Sequence, residues 1–120
     1  MGVDPTGRDI ALLLDERPDG PFVMLNLLKF GPGGRGRYEE YARHARSFLE
    51  RYGAEVVYGG DCSTALVAPD NHDWDAVLLV RYPSRQAFSE MVADPAYQRI
   101  TGLRTTALDG AVLQATIPWF

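Results

Sequence analysis

The sequence predicts an α+β domain: a four-stranded antiparallel sheet with helices on one face, preceded by one more helix. Three observations carry that reading. Two nearly all-apolar runs, PFVMLNLLKF at 21–30 and WDAVLLVRY at 74–82, are too short to span a membrane and too hydrophobic for strands wetted on one face. The segment 37–52 repeats apolar residues at helical spacing. Turn and cap residues cut the remainder into pieces of strand or helix length. With 120 residues, 46% of them apolar, the chain can bury one core of ordinary size.

The elements follow in order. Asp4-Pro5 reads as a helix start, a capping carboxylate followed by a proline where no amide hydrogen is needed. Ile10, Leu13 and Leu14 then give an amphipathic helix to about Glu16, ended by Pro18, Gly20 and Pro21. Residues 1–20 are therefore expected to be an N-terminal helical extension, and 21–120 the main domain. The first strand of that domain carries one polar residue, Asn26, and alternation groups it with Phe22, Met24 and Leu28. GPGGRG at 31–36 reads as a loop; no Gly-Lys-Ser/Thr closes it, so it is not a phosphate-binding Walker loop.

The helix over 37–52 has one broad apolar face, from Tyr38, Tyr41 and Ala45 to Phe48 and Tyr52, and Gly53 stops it. Glu55 to Ala68 reads as a strand, with Gly59-Gly60 as a bulge. PDNHD at 69–73 is turn chemistry, so the strand at 74–82 closes a hairpin. Pro83-Ser84 caps a helix with Ala87, Phe88, Met91 and Val92 inward, and Asp94-Pro95 opens another to about Leu108. Asp109-Gly110 turns the chain into a last strand, 111–117, and the apolar end PWF is expected to pack against something.

This order, β-α-β-β-α-β after a leading helix, is the ferredoxin-like arrangement. Its helices cover one sheet face only, yet the central strands look apolar on both. A bare apolar sheet is a liability on a monomer, so a homodimer with sheets packed face to face is expected.

Other classes are set aside by composition. The net charge of −4 and the absence of a basic stripe argue against nucleic acid. No membrane span or signal-peptide pattern is present, and the single cysteine, Cys62, fits a reducing, cytoplasmic setting. Two histidines in unlike settings and one cysteine give no metal-ligand spacing, and no dinucleotide or nucleophile-elbow motif occurs, so no cofactor is expected.

Several separated motifs form a recognisable set: DPT at 4–6, GPFVMLNLLKF at 20–30, the Tyr38-x-x-Tyr41 helix, WDAVLLVRYPSRQAF at 74–88, MVADPAYQ at 91–98 and LRTTAL at 103–108. Together they resemble the domain-of-unknown-function 1330 family over nearly the whole chain. That family is similar in fold to the dimeric α+β barrel superfamily, which includes antibiotic-biosynthesis monooxygenases and muconolactone isomerases. The resemblance implies the fold and the dimer; it implies no particular reaction, because a shared fold does not transfer chemistry.

Five residues are candidates for a site. Tyr97, Ile100, Arg104 and Leu108 share one helical face, with Arg104 near its centre. A guanidinium on an apolar stripe is expensive to desolvate unless it is paired. Either it meets an Asp or Glu as a structural ion pair, or it faces a cleft and meets an anionic ligand. The resemblance also implies an arginine at this position. Asn26, an amide in a central strand, either bonds neighbouring backbone or orients a ligand carbonyl. His44 borders the apolar face of its helix and has the intrinsic pKa for proton transfer near neutrality. Tyr41 and Tyr97 lie within apolar faces, as core residues or as hydroxyls lining a pocket.

Two functions follow as expectations. One is a cofactor-independent enzyme acting on a small, partly apolar carbonyl or carboxylate compound by proton transfer, isomerisation or oxygenation. Arg104 would stabilise an enolate or carboxylate, His44 or Tyr41 would move a proton, and Asn26 would orient the carbonyl. The other is a non-catalytic dimeric module that binds a small molecule in the same pocket.

Overall fold

A computed structural model describes residues 2–16 and 18–120 of the chain. The domain is ferredoxin-like: strands β1 (Phe22–Phe30), β2 (Glu55–Asp61), β3 (Ala76–Tyr82) and β4 (Leu108–Thr116) form one antiparallel sheet in the order β2-β3-β1-β4. Helix α1 (Gly7–Asp15) precedes β1, and α2 (Gly34–Arg51) joins β1 to β2. The second crossover is broken into α3 (Arg85–Ala93), α4 (Pro95–Gln98) and α5 (Thr101–Ala107).

Register assigns each strand residue to a face. Asn26 lies opposite Leu78 on β3 and Leu113 on β4, while Leu25 lies opposite Leu79 and Gln114. Phe22, Met24, Asn26 and Leu28 are buried beneath the helices, and Val80 and Tyr82 share that face. The main core joins them to Tyr41, Ala45 and Phe48 of α2, Phe88 and Met91 of α3, and Tyr97 of α4. On the other face Leu25, Leu27, Val77, Leu79 and Val112 form an apolar stripe that belongs to neither packed cluster. One copy of the chain leaves this stripe only half-buried.

Several local expectations are corrected. Asp4 does not cap α1; Thr6 does, accepting from the Asp9 amide at 3.2 Å while the Asp9 carboxylate accepts from the Thr6 amide at 2.8 Å. This is a reciprocal capping box, for which Thr6-x-x-Asp9 was the available signal. GPGGRG is only half loop, because α2 already begins at Gly34, with Gly33 in the left-handed region at φ 69°. Strand β2 ends at Asp61, so residues 62–75 form a longer connection, and its irregularity falls between Val56 and Tyr58 instead of at Gly59-Gly60. Among the described residues, the terminal Trp119 and Phe120 are exposed and pack only against each other, so what this end packs on is not seen within one chain.

Helix α2 is the strut over the sheet. Its end is closed by Gly53 at φ 75°, with the Ala54 amide donating to Leu49 and the Gly53 amide to Glu50, the two bonds of a Schellman cap. Its start presses on α5: a Cβ on Gly34 would stand 2.0 Å from the Ala107 carbonyl oxygen. That atom is backbone and cannot swing aside. Gly34→Ala is therefore expected to lower stability by about 2–3 kcal/mol, at the upper end of overpacking effects, read from the shift in urea midpoint. A midpoint within error of the parent would contradict the close approach.

Candidate functional site

The site grows out of Asn26, the one polar residue that β1 sends under the helices. Its amide nitrogen donates to the Met24 carbonyl at 3.3 Å and the Leu78 carbonyl at 3.4 Å. Both partners are carbonyls, so the nitrogen must face them. Its Oδ1 accepts no hydrogen bond among the described residues.

Above it, α2 and α4 each contribute a phenol. Tyr41 and Tyr97 are buried, with their hydroxyl oxygens 2.5 Å apart. One hydroxyl must donate to the other, so the pair keeps one proton to offer outward. Helix α5 supplies Arg104, whose side chain is 7% exposed. Its Nη1 is occupied by the N-terminal segment: it donates to the Val3 carbonyl and lies 3.0 Å from Asp4 Oδ1, and Thr105 holds the other Asp4 oxygen at 2.7 Å. Its Nη2 is fully buried and meets no hydrogen-bond partner among the described residues, although the guanidinium lies near enough to the Tyr38 hydroxyl to oppose the rise of that phenol's pKa.

Arg104 also lines open space. A hollow of about 530 Å³ lies between the C-terminal half of α2 and strands β2 and β3, walled by Ala45, Leu49, Leu78 and Val80. A smaller one of about 260 Å³ lies between the N-terminal segment and α3–α5. The two share Asn26, Tyr41, Tyr82, Met91, Tyr97 and Arg104. A volume of this order suits a small ligand. Arg85 makes the useful contrast. It too is buried with one unmet nitrogen, Nε, but it borders neither hollow, lies over the Phe22 ring at 5.5 Å and is held by Glu16 at 3.1 Å. Arg85 staples the end of α1 to α3; Arg104 faces a void.

The electrostatics favour donors over bases. Burial pushes the Tyr41 phenol well above its ordinary range, and it raises Tyr38, Tyr82 and Tyr97 as well. The Arg104 charge opposes the shift at all four without reversing it. These phenols stay protonated at neutral pH and can donate.

Four of the five expected residues, Asn26, Tyr41, Tyr97 and Arg104, thus meet at one place. His44 does not join them. Its side chain is 57% exposed on the outer side of α2, 4.0 Å from Glu40, and it borders neither hollow. The structural ion pair expected of Arg104 is present, with Asp4, and the residue also lines both hollows. Sequence reasoning missed Asp4 and Tyr82. Tyr82 had a signal, since alternation from Leu78 and Val80 puts it on the helix face. Asp4 had none, because its partner lies 100 residues away. No cluster of three His, Cys, Asp or Glu side chains among the described residues is placed to hold a metal ion.

The family pattern described as "Domain of unknown function (DUF1330)" matches residues 33–115. The chain belongs to the DUF1330 family. No curated protein matches it. Among solved structures, a protein of unknown function from Rhodopseudomonas palustris is 31% identical with a TM-score of 0.89, the match covering 99% of this chain and 98% of that one. A dimeric ferredoxin-like protein of unknown function from Jannaschia sp. CCS1 is 14% identical with a TM-score of 0.63, over 82% of this chain and 100% of that one. A Caulobacter crescentus CB15 protein, provisionally assigned as an antibiotic biosynthesis monooxygenase, is 11% identical with a TM-score of 0.59, over 91% and 95%. At such identities the last two show the fold of this DUF1330 chain and nothing of its chemistry.

The buried phenols make a pH prediction. Their folded pKa values are raised, so these phenols keep their protons in both the folded and the unfolded chain below pH of about 10. Above it the unfolded chain loses phenolic protons first and is favoured. Stability is expected to hold up to that pH and then fall steeply, with phenolate absorbance rising together with loss of near-UV circular dichroism. Smooth phenolate formation with tertiary structure intact would contradict the burial.

Proposed function

We propose that this chain is a homodimeric binding protein for a small, partly apolar molecule bearing a carbonyl or carboxylate oxygen, held between sheet and helices. The observation that carries the reading is a hollow walled by the Tyr41–Tyr97 pair and by Arg104, whose Nη2 is buried and unpartnered among the described residues. An unmet buried donor costs about 1–3 kcal/mol, more on a charged group. A ligand oxygen in the hollow would remove that penalty, while Leu78, Val80 and Leu49 would take its apolar part. The free Oδ1 of Asn26 would orient a ligand donor.

The dimer rests on the half-covered stripe of Leu25, Leu27, Val77, Leu79 and Val112, and on the dimeric Jannaschia neighbour of the same fold. A second copy laid sheet to sheet would cover it. Cys62 is exposed and free, which fits a reducing, cytoplasmic setting. No helix among the described residues is long and apolar enough to cross a membrane.

A second reading adds chemistry: proton transfer, isomerisation or oxygenation without a cofactor. What favours it is the 2.5 Å Tyr41–Tyr97 bond beside a guanidinium, a set of donors suited to an enolate oxygen. With His44 outside, Tyr41 would be the proton donor in that reading.

Native mass spectrometry tests the proposal. The parent protein is expected as a dimer carrying a bound small-molecule mass. Arg104→Gln is expected to remain a dimer with occupancy reduced at least about tenfold, the loss expected for one charged hydrogen bond. A monomer would overturn the dimer, and equal ligand retention in the variant would overturn the anchoring role of Arg104.

A further inference from the structure

We propose that the site selects a neutral carbonyl compound with an apolar body, such as an amide or ketone, and disfavours carboxylates, with Asp4 as the residue that sets this choice. The inference rests on the binding reading above and narrows it. The Asp4 carboxylate stands 3.0 Å from Arg104 Nη1, so the guanidinium charge already has a counter-ion before any ligand arrives. The hollow is left with neutral donors, the phenols of Tyr38 and Tyr82 that line it and one hydroxyl proton of the Tyr41–Tyr97 pair. Neutral donors without surplus positive charge suit the lone pairs of an uncharged carbonyl oxygen.

A carboxylate in the same place would set a second negative charge near Asp4, whose side chain is 41% exposed, so water weakens the repulsion without removing it. The walls add to this bias. The charged side chains lining the two hollows are Arg46 and Arg104 against Asp4, Glu50 and Glu55, so the lining is net negative. An amide satisfies the remaining group as well, since its N–H can donate to the free Oδ1 of Asn26, which a carboxylate cannot do. Asp4 is then more than a latch for the N-terminal segment; it determines which ligands Arg104 accepts.

The matched pair octanamide and octanoate, measured by isothermal titration calorimetry at pH 7, separates the outcomes. The parent protein is expected to bind octanamide at least about tenfold more tightly than octanoate, the effect of one nearby like charge in a partly wetted site. Asp4→Asn, which keeps the side-chain shape, is expected to shift the octanoate-to-octanamide affinity ratio by roughly tenfold toward octanoate. A parent that prefers octanoate overturns the inference without recourse to any variant. An unmoved ratio in folded Asp4→Asn overturns the role of Asp4. Either result leaves the pocket reading standing, whereas binding of neither compound overturns the pocket reading and this inference together.

Discussion

The structure depends on how one buried guanidinium is shared. Arg104 is a cation inside an apolar layer, and such a charge persists only where partners replace the water it lost. One of its nitrogens is met by the Val3 carbonyl and the Asp4 carboxylate, which ties the start of the chain to its last helix. The other is buried and meets no hydrogen-bond partner among the described residues, while the residue lines a cavity. The same residue thus closes the fold and opens the site. Arg85 shows the alternative outcome: an equally buried arginine that borders no hollow and serves as a staple.

The cavity itself follows from side-chain size. Protein interiors are close-packed, so a hollow of this volume needs small residues where large ones could have stood. The hollow is lined by the buried Ala45 of α2 and the buried Ala54 just past its end, with Ala42 exposed at the rim. The aromatic residues are placed around this gap instead of in it: Phe48 packs edge-on against Tyr97 and Tyr82 against Phe88. Rings stiffened in this way hold the Tyr41 and Tyr97 hydroxyls in place, since an aromatic side chain has few rotamers to lose. The α2–α5 contact at Gly34 keeps the strut close enough for the phenol of one helix to reach that of α4.

Much of this was legible in the residues. Two doubly apolar strands, one strongly periodic helix and the Ser84 and Asp94 caps specify the topology, and Ser84 and Asp94 do accept from the Ala87 and Ala96 amides. Alternation placed Asn26, and helical spacing placed Tyr97 and Arg104 on a common face even though the chain breaks near Ile100, because the break keeps the helical turn. What was not legible is non-local. Asp4-Pro5 looks like a helix start and is instead an anchor for Arg104, a contact that exists only once the sheet has brought the two chain regions together. His44 lay at a border in the helical pattern, and a border residue falls inward or outward by a few tens of degrees; here it falls outward. The short β2 reflects an edge strand whose far half has no second partner to extend it.

The central claim is that Arg104 Nη2 and the tyrosine pair are the grip of a binding site and not a packing defect. A crystal structure of the protein soaked with octanamide tests it most directly. The account predicts the amide oxygen within hydrogen-bond distance of Arg104 Nη2 and of a Tyr41 or Tyr97 hydroxyl, with the alkyl chain along Leu78 and Val80. An empty hollow at saturating octanamide, or Nη2 bonded to a protein carbonyl with the amide bound elsewhere, would contradict it.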